Sequence, residues 1–419
     1  MPCAASARHT VTIAAPVLHA TATSGPQFYL QVLRTRHAVR IKNNIMLAIP
    51  EFNINAKQRE LAGHRGRVFD VDLSQGDGAA LCVTGSEDGT AKIWRMSDGR
   101  LEGEVAQDEG EVLRVAWAPR VVEQACGASL LAVAGADGMC NLWRGDDWAT
   151  PTSIQRLAHD GDQVYGCAWS TCGDAYGAWL LTAAGATATV WDVTTGKAVR
   201  RWSYQEPKGD PAYVFDVQPA PPDAADALHA TIACAVSDGT ARVRDVRLAY
   251  DAQILRAPGD SKVTAVGWLG GDAVASCYGD GSCRVWDART WRLLGRLQGA
   301  HASPCYGAAR TDAFAARTDA FVASWASESL AFWDSADAFK QADATHRAFA
   351  PIRDPAGNAV PLFQCAFDAK HIVVCGGEGR GRGDDSVVPS VFVYDLEAPR
   401  KRGRSEEEEA AEKRPCFFV

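Results

Sequence analysis

The histidines, cysteines and glycine-rich segments of this chain do not have the spacing of a catalytic or metal site. The nine histidines include no His-Glu-x-x-His pair, and no nucleophile elbow is present. The thirteen cysteines contain no Cys-x-x-Cys pair, which favours reduced thiols over zinc ligands or disulfides. The glycine-rich stretch at 376–385 lacks the Gly-Lys-Ser/Thr of a phosphate loop. We therefore predict that the chain is not an enzyme and holds no cofactor or metal.

A short motif returns seven times along the chain. Near residue 88 it reads as an apolar strand, a tight Asp-Gly turn and a second strand that ends in an aromatic and a charged residue. Successive endings are 49, 48, 53, 42, 47 and 61 residues apart. A period in the forties is typical of a β-propeller with one four-stranded blade per copy. The endings are Trp94-Arg95, Trp143-Arg144, Trp191-Asp192, Arg244-Asp245, Trp286-Asp287, Trp333-Asp334 and Tyr394-Asp395.

The two ends of the repeat array complement each other. Residues 57–61 read as an outer strand with no inner strands before it, and the last copy has no outer strand after it. We predict that the N-terminal strand completes blade seven and closes the ring, because closure removes both open sheet edges. The fold class is therefore all-β, a seven-bladed propeller closed by an N-terminal strand.

Three segments follow from this organisation. Residues 1–56 form an N-terminal extension that we expect to be partly disordered, 57–397 form the propeller, and 398–419 form a charged, disordered tail. The apolar stretches in 27–50 leave open whether a further strand pair precedes the ring. Two insertions, at 336–360 and 376–385, are candidate interaction loops on one face.

Overall composition limits the partners. No apolar run approaches 18 residues, so we predict no membrane span, and the N-terminus lacks the pattern of a secretory signal. The net charge of −8 argues against a general nucleic-acid coat, so nucleic acid would be contacted only indirectly. We expect other proteins or peptides as partners, in the nucleus, the cytoplasm or both. Arg400 to Arg404 form a candidate nuclear import signal.

Over residues 57–396 the chain resembles the WD40-repeat family, through Gly63-His64, the segment 86–89 and Trp191-Asp192 with its equivalents. The resemblance implies a hydrogen-bonded structural set in each blade, because a buried imidazole, hydroxyl and indole N–H must be paired. In blade one the matching positions are His64, Asp88, Trp94 and a hydroxyl that is either Ser86 or Thr84, of which we predict Ser86.

A ring of large side chains follows the first apolar residue of each innermost strand. In WD40 proteins this position lies near the entrance of the central channel, where partner peptides dock, so the aromatics are candidate anchors. The alternative is packing between blades near the axis. The candidate partner-binding residues are Phe69, Tyr165, Phe215, Tyr306 and Phe363, with Leu113 and Thr264 at the two remaining positions.

A second resemblance concerns Trp286-Asp-Ala-Arg289, which is similar to the box of substrate receptors of cullin-4-type ubiquitin ligases. Blade four carries a degenerate copy that ends in Arg247 and has Arg244 in place of the tryptophan. In that family the arginine contacts the ligase adaptor, so Arg247 and Arg289 would be the contact residues. We thus predict a non-catalytic protein-binding scaffold in a multi-protein complex. The alternatives are a substrate receptor of a cullin-4-type ligase and a non-catalytic subunit of an RNA-processing or RNA-modifying complex.

Overall fold

The computed structural model of the protein consists mainly of strands. The residues that it describes are 58–75, 80–170, 178–206, 208–225, 228–256, 261–297, 301–311, 321–327, 329–334, 347–348, 361–368, 371–379 and 387–395. The predicted extension at 1–56, the tail at 398–419, the loop at 380–386 and most of 336–360 therefore lie outside the described residues.

Blades one to four follow one another along the chain, each with its strands in order from the channel outward. Their strands are β2 (Val68–Leu73), β3 (Leu81–Ser86), β4 (Thr90–Arg95) and β5 (Leu101–Ala106); β6 (Val112–Trp117), β7 (Leu130–Gly135), β8 (Met139–Arg144) and β9 (Thr152–Ala158); β10 (Val164–Trp169), β11 (Trp179–Ala184), β12 (Thr187–Asp192) and β13 (Lys197–Ser203); and β14 (Val214–Pro219), β15 (Thr231–Val236), β16 (Thr240–Asp245) and β17 (Asp251–Arg256).

Blades five and six continue this order, and blade seven takes its outer strand from the N-terminal side of the ring. Their strands are β18 (Val263–Trp268), β19 (Ala273–Tyr278), β20 (Cys283–Asp287) and β21 (Leu293–Leu297); β22 (Cys305–Thr311), β23 (Phe321–Ala326), β24 (Ser329–Asp334) and β25 (Arg347–Ala348); and β26 (Leu362–Phe367), β27 (His371–Gly379), β28 (Val387–Asp395) and β1 (Gln58–Glu60). A short helix, α1 (Arg120–Cys126), connects β6 to β7 and ends at Gly127, whose φ of 65° suits glycine.

The ring closes as the sequence predicts. Strand β1 pairs antiparallel with β28, in the register Gln58 to Tyr394 and Glu60 to Phe392. The Leu61 N–H then donates to the Val391 carbonyl at 3.0 Å. The predicted all-β seven-bladed propeller, with an N-terminal strand in its last blade, is confirmed.

The core lies between blades. Separate apolar clusters fill the contacts of neighbouring blades, and the cluster between blades seven and one contains Leu61, Trp94 and Val391. Small residues such as Ala132 and Cys140 are completely buried in the cluster between blades two and three. Each blade therefore depends on both of its neighbours to cover its apolar faces.

The outer strands are irregular where they face solvent. In blades one to five, the outer strand skips one residue opposite the position of the motif tryptophan, and the skipped residues are Glu102, Ile154, Val199, Ala252 and Leu294. Such bulges bend the edge of a sheet and discourage pairing with another chain.

Three carboxylates of the innermost strands tie blades together through the backbone. Asp70 accepts the Val115 N–H at 2.7 Å, and Asp72 accepts the Trp117 N–H at 2.8 Å, so that both connect blade one to blade two. Asp216 accepts the Val266 N–H at 3.1 Å and connects blade four to blade five. The Asp72 residue is partly exposed, but its carboxyl group has lost most of its water, which raises its pKa to about 7. Two backbone hydrogen bonds to the carboxylate lower the pKa and oppose this effect only in part.

We predict that deleting residues 51–62 strongly lowers the melting temperature, because the deletion removes β1 and leaves β28 as an unpaired edge. A deletion of twelve residues earlier in the N-terminal segment, at 2–13, is the matched control. Thermal unfolding followed by circular dichroism measures both. Equal melting temperatures for the two deletions would show that β1 does not support the ring.

The Asp72 carboxyl should make stability depend on pH. Its pKa of about 7 lies above the value of about 4 expected in the unfolded chain, so between these pH values the folded state holds a proton that the unfolded state lacks. Stability should therefore fall as pH rises from about 4 to about 7 and stay lower above that. Asp72→Asn should remove this contribution to the pH dependence of stability, measured between pH 5 and pH 8. The substitution should also change stability by an amount that does not depend on pH. Parallel profiles of melting temperature against pH would contradict the assignment.

Candidate protein-binding surfaces

Blade one contains a chain of four hydrogen-bonded side chains. His64 Nδ1 lies 3.0 Å from Asp88 Oδ2, and its Nε2 lies 2.8 Å from Thr84 Oγ1. The Trp94 indole N–H donates to the same Thr84 oxygen at 2.8 Å. Burial raises the pKa of Asp88, but hydrogen bonds from His64 and Thr90 outweigh burial and hold it below its usual range. These contacts satisfy buried polar groups and connect the strands of the blade.

The hydroxyl in this chain belongs to Thr84, so the sequence-based choice of Ser86 is corrected. Both side chains lie on the same face of β3, but Ser86 is two residues, about 7 Å, further from the indole. Ser86 instead donates to the Gly66 carbonyl at 3.1 Å and accepts the Asp88 N–H at 3.2 Å. Its role is to fasten the turn that carries Asp88.

Two further histidines occupy the same position, and the sequence analysis missed both. His159 Nε2 lies 2.8 Å from Thr182 Oγ1, which also accepts the Trp191 indole N–H at 2.8 Å. His301 Nε2 lies 2.7 Å from Ser324 Oγ. These histidines follow an alanine and so depart from the Gly-His pattern of blade one. The spacing of about four residues before the next innermost strand would have found them.

Blade four replaces both the histidine and the tryptophan. Tyr204 takes the histidine position, and the buried Arg244 takes the tryptophan position and forms an ion pair with Asp251 at 2.6 Å. The guanidinium carbon of Arg244 lies 5.1 Å from the centre of the Tyr204 ring and 5.6 Å from that of Trp202. The carboxylate and the two rings compensate the buried charge, so Arg244 is part of the fold.

Blade two lacks the hydroxyl altogether. Val133 stands at the position of Thr84, and the buried Trp143 indole N–H has no hydrogen-bond partner among the described residues. Gln107 takes the histidine position and contacts Asp137 at 2.9 Å and Asn141 at 3.1 Å. An unpaired buried donor of this kind costs stability.

The ring of large side chains coincides with a structural irregularity. In all seven innermost strands the second residue is skipped by the ladder, because the first and third residues pair with consecutive residues of the next strand. A bulge re-aims the skipped side chain. All seven skipped residues are half-buried, and they are Phe69, Leu113, Tyr165, Phe215, Thr264, Tyr306 and Phe363.

The ring lies at one end of the channel, which we call the mouth face. Each innermost strand begins beside the turn that joins the second and third strands, as Val214 pairs with Val236 at the turn 237–239. The connections that enter the blades and these turns therefore share the mouth face. The opposite end, where the third strands end, is the base face.

The aromatics of the ring form two clusters. Phe363 contacts Phe69 and Tyr306, with ring centres 5.8 Å and 6.5 Å apart. On the other side Tyr165 meets Phe215 edge to face at 6.2 Å. The rings of both groups pack against one another and are half-buried, so part of their surface stays accessible.

Arg114 lies directly beneath the ring. Its Nε donates to the Tyr165 carbonyl at 2.7 Å, and its guanidinium lies 3.5 Å from Asp70. Burial lowers the pKa of Arg114, but the negative charges of Asp70 and Asp216 outweigh this and raise it. The arginine thus stays charged and connects blades one, two and three at the wall of the channel.

Arg247 and Arg289 lie on the base face, after the third strands of blades four and five. Arg247 is bound by Asp245, with Nε 2.8 Å from Oδ1 and Nη2 2.6 Å from Oδ2. Arg289 contacts Asp272 at 2.7 Å, and its side chain is 67% exposed. The two arginines do share a face on neighbouring blades, and whether they contact a ligase adaptor stays a prediction.

Trp291 closes the turn after Arg289 with a φ of 57°. The equivalent positions in blades one and three are Gly99 and Gly196, at 74° and 69°. A positive φ is costly for a bulky residue, and the partly buried indole packs against the core between blades four and five.

No group of three or more potential metal ligands is present among the described residues. Within the same residues, no helix is long and apolar enough to cross a bilayer.

Two substitutions at the shared hydroxyl position should shift stability in opposite directions. Thr84→Val leaves His64 and Trp94 without their common partner and should lower the free energy of unfolding by about 1–3 kcal/mol. Val133→Thr, the matched change in blade two, offers Trp143 an acceptor and should raise it by about 1 kcal/mol. Chemical denaturation measures both. Destabilisation by Val133→Thr as large as that by Thr84→Val would contradict the assignment.

Comparison with known proteins agrees with this architecture. The family model "WD domain, G-beta repeat" matches residues 55–95 and 252–287.

Proteins named guanine nucleotide-binding protein subunit beta, from three plants, are similar in sequence to this chain. The Arabidopsis thaliana protein is 26% identical over 66% of this chain and 71% of its own length. The Oryza sativa subsp. indica and Zea mays proteins are 25% and 26% identical over 56% of this chain. The chain spans 59% of the length of the rice and maize proteins. The seven closed blades, and the His, Thr and Trp contacts of blades one and three, are those of a WD40-repeat propeller.

Proposed function

We propose that this chain is a non-catalytic scaffold that holds partner proteins at its mouth face. The observation that carries the proposal is the ring of bulges, which places five half-buried aromatic residues at the mouth end of the innermost strands. Propellers of this family generally serve as protein-binding scaffolds without catalysis. An interaction surface is therefore the function to seek first.

The aromatic ring has the anatomy of an interaction site. Rigid aromatics with few rotamers lose little entropy on binding, and interface hot spots are enriched in them. The Tyr165 hydroxyl donates to Gln163 at 2.9 Å and the Tyr306 hydroxyl accepts from Ser327 at 3.2 Å, so both rings are already oriented. Packing between blades uses part of each ring, and the remaining surface is available to a partner.

The names of the relatives support assembly into a complex. The plant proteins are each called a subunit, which describes a component of a larger assembly. We infer a comparable scaffold role for this chain, within one multi-protein complex. We place it in the nucleus, the cytoplasm or both, and the basic segment 400–404 supports the nuclear site.

A second candidate is a substrate receptor of a cullin-4-type ligase. It is favoured by the exposure of Arg289 and by the presence of Arg247 on the same face of the neighbouring blade. The third hypothesis, a subunit of an RNA-processing complex, would have to rely on other subunits for contact with RNA. The acidic loops around the mouth, such as 107–111, repel a phosphate backbone.

Paired variants distinguish the mouth face from the base face. We expect the double variant Tyr165→Ser with Tyr306→Ser to lose most co-purifying partners, because it removes aromatic anchors. Arg247→Ala with Arg289→Ala should keep them. The control, Ile154→Ser with Ile254→Ser, changes exposed apolar residues of the outer strands and should also keep them.

Melting temperatures first establish that all three variants are folded. Affinity purification followed by mass spectrometry then compares their partners. Loss of partners in the arginine variant alone would favour the ligase receptor and overturn the mouth-face proposal. Unchanged partners in both variants would contradict both assignments.

A further inference from the structure

We infer that the mouth face receives a basic segment of a partner protein, with a lysine or arginine side chain seated against Tyr165, Tyr213 and Phe215. The inference rests on the proposed scaffold function and specifies the chemistry of its partner.

The first observation is an aromatic surface that is open to solvent. Tyr213 directly precedes β14, and its side chain is 48% exposed. Its backbone is fixed by reciprocal hydrogen bonds with Ser237, at 3.0 Å and 2.9 Å. Tyr165 is near enough to Tyr213 and Asp162 for both to raise its pKa, after the larger effect of burial. Tyr165 packs against Phe215, and Tyr213 stands two residues before Phe215 in the chain; we call these three residues the open cluster.

The second observation is the charge around the open cluster. The connections that enter blades two, three and four lie on the mouth face and are strongly acidic. Their seven carboxylates are opposed by Lys208 and by two outer-strand arginines, Arg156 and Arg201, which pair with Asp108 at 2.6 Å and Asp160 at 3.0 Å. A formal excess of four negative charges remains. The carboxylates belong to Asp108, Glu109, Glu111, Asp160, Asp162, Glu206 and Asp210.

Asp162 brings this charge next to the rings. Its carboxylate lies against Gly185, where a Cβ atom would be 2.2 Å from the Asp162 oxygen. Gly185 also has a φ of 51°, so the turn of blade three suits glycine in both conformation and space. Because Gly185 has no side chain, the Asp162 carboxylate has room to lie beside Tyr165.

The third observation is the contrast with the other aromatic cluster. There the chain supplies its own cation: the Arg67 guanidinium lies 5.4 Å from the centre of the Phe69 ring and pairs with Glu87 at 2.7 Å. Among the described residues, no arginine or lysine stacks on a ring of the open cluster. Aromatic faces attract cations, and neighbouring carboxylates add to that attraction. In the other aromatic cluster a cation lies between an aromatic ring and a carboxylate, as Arg67 does between Phe69 and Glu87. A basic side chain of the partner would take the equivalent place at the open cluster.

A labelled peptide tests this inference on the full chain. The probes are two fluorescein-labelled twelve-residue peptides, in which glycine alternates with lysine in one and with arginine in the other. The control peptide has glutamine at the basic positions. Fluorescence anisotropy measures binding at low and at physiological salt. We expect the basic peptides alone to bind, and their affinity to fall as salt rises, since screening weakens exposed charge pairs.

Matched variants locate the site. We expect Tyr213→Ser and Asp162→Asn each to weaken binding of the basic peptides by about tenfold. Tyr250→Ser and Asp272→Asn make the same changes at exposed positions on the base face and should leave binding unchanged. Equal binding of the basic and control peptides would overturn the inference, as would equal effects of the mouth and base variants.

The partner assay separates this inference from the scaffold proposal. If the natural partners depend on Tyr165 and Tyr306 while the basic peptides do not bind, the scaffold proposal holds and the basic partner is wrong. If neither the partners nor the peptides respond to changes on the mouth face, both fail.

Discussion

The three backbone pairs of β1 with β28 are the constraint on which the rest of the propeller depends. Each blade covers its apolar faces with its two neighbours, so a ring is stable only if every blade has both. Without β1, blade seven would end at β28 and expose a sheet edge. The same segment delivers Leu61 to the cluster that contains Trp94 and Val391. Closure therefore joins the first and the last blade through hydrogen bonds and apolar contacts together.

Within the ring, different side chains solve one problem of polar burial. Blades one and three pair an indole with a threonine and a histidine, whereas blade four pairs Arg244 with Tyr204 and Asp251. In blade two, the Trp143 N–H has no partner within the part of the chain that the structure describes. One unpaired donor costs about 1–3 kcal/mol, which the apolar cluster between blades one and two offsets. The variation also explains why a strict motif recognises only some of the blades.

The period of the endings and the orphan strand at 57–61 were enough to predict the number of blades and the closure. The sequence did not predict the choice between Thr84 and Ser86. That choice depends on the diagonal contact of Trp94 with the neighbouring strand, which spacing along the chain does not define. His159 and His301 were missed because alanine replaces the expected glycine before them. The sequence did identify Phe69 and its equivalents as a ring. It could not reveal the bulge that orients them, because a bulge is a property of the pairing between strands.

The mouth face is chemically asymmetric, and that asymmetry bears on selectivity more than on affinity. On one side Arg67 covers Phe69 and neutralises Glu87, so a partner gains little by bringing a second cation there. On the other side, Tyr213 is exposed beside an excess of carboxylates. Complementary charge accelerates encounter and rejects partners of the wrong sign. In the proposed binding mode, the aromatic rings then hold the basic side chain through short-range contacts, which salt screens less than it screens the encounter. In that mode, the carboxylates around the open cluster and the faces of its rings act on the same basic side chain, so the surface selects for a cation that reaches both.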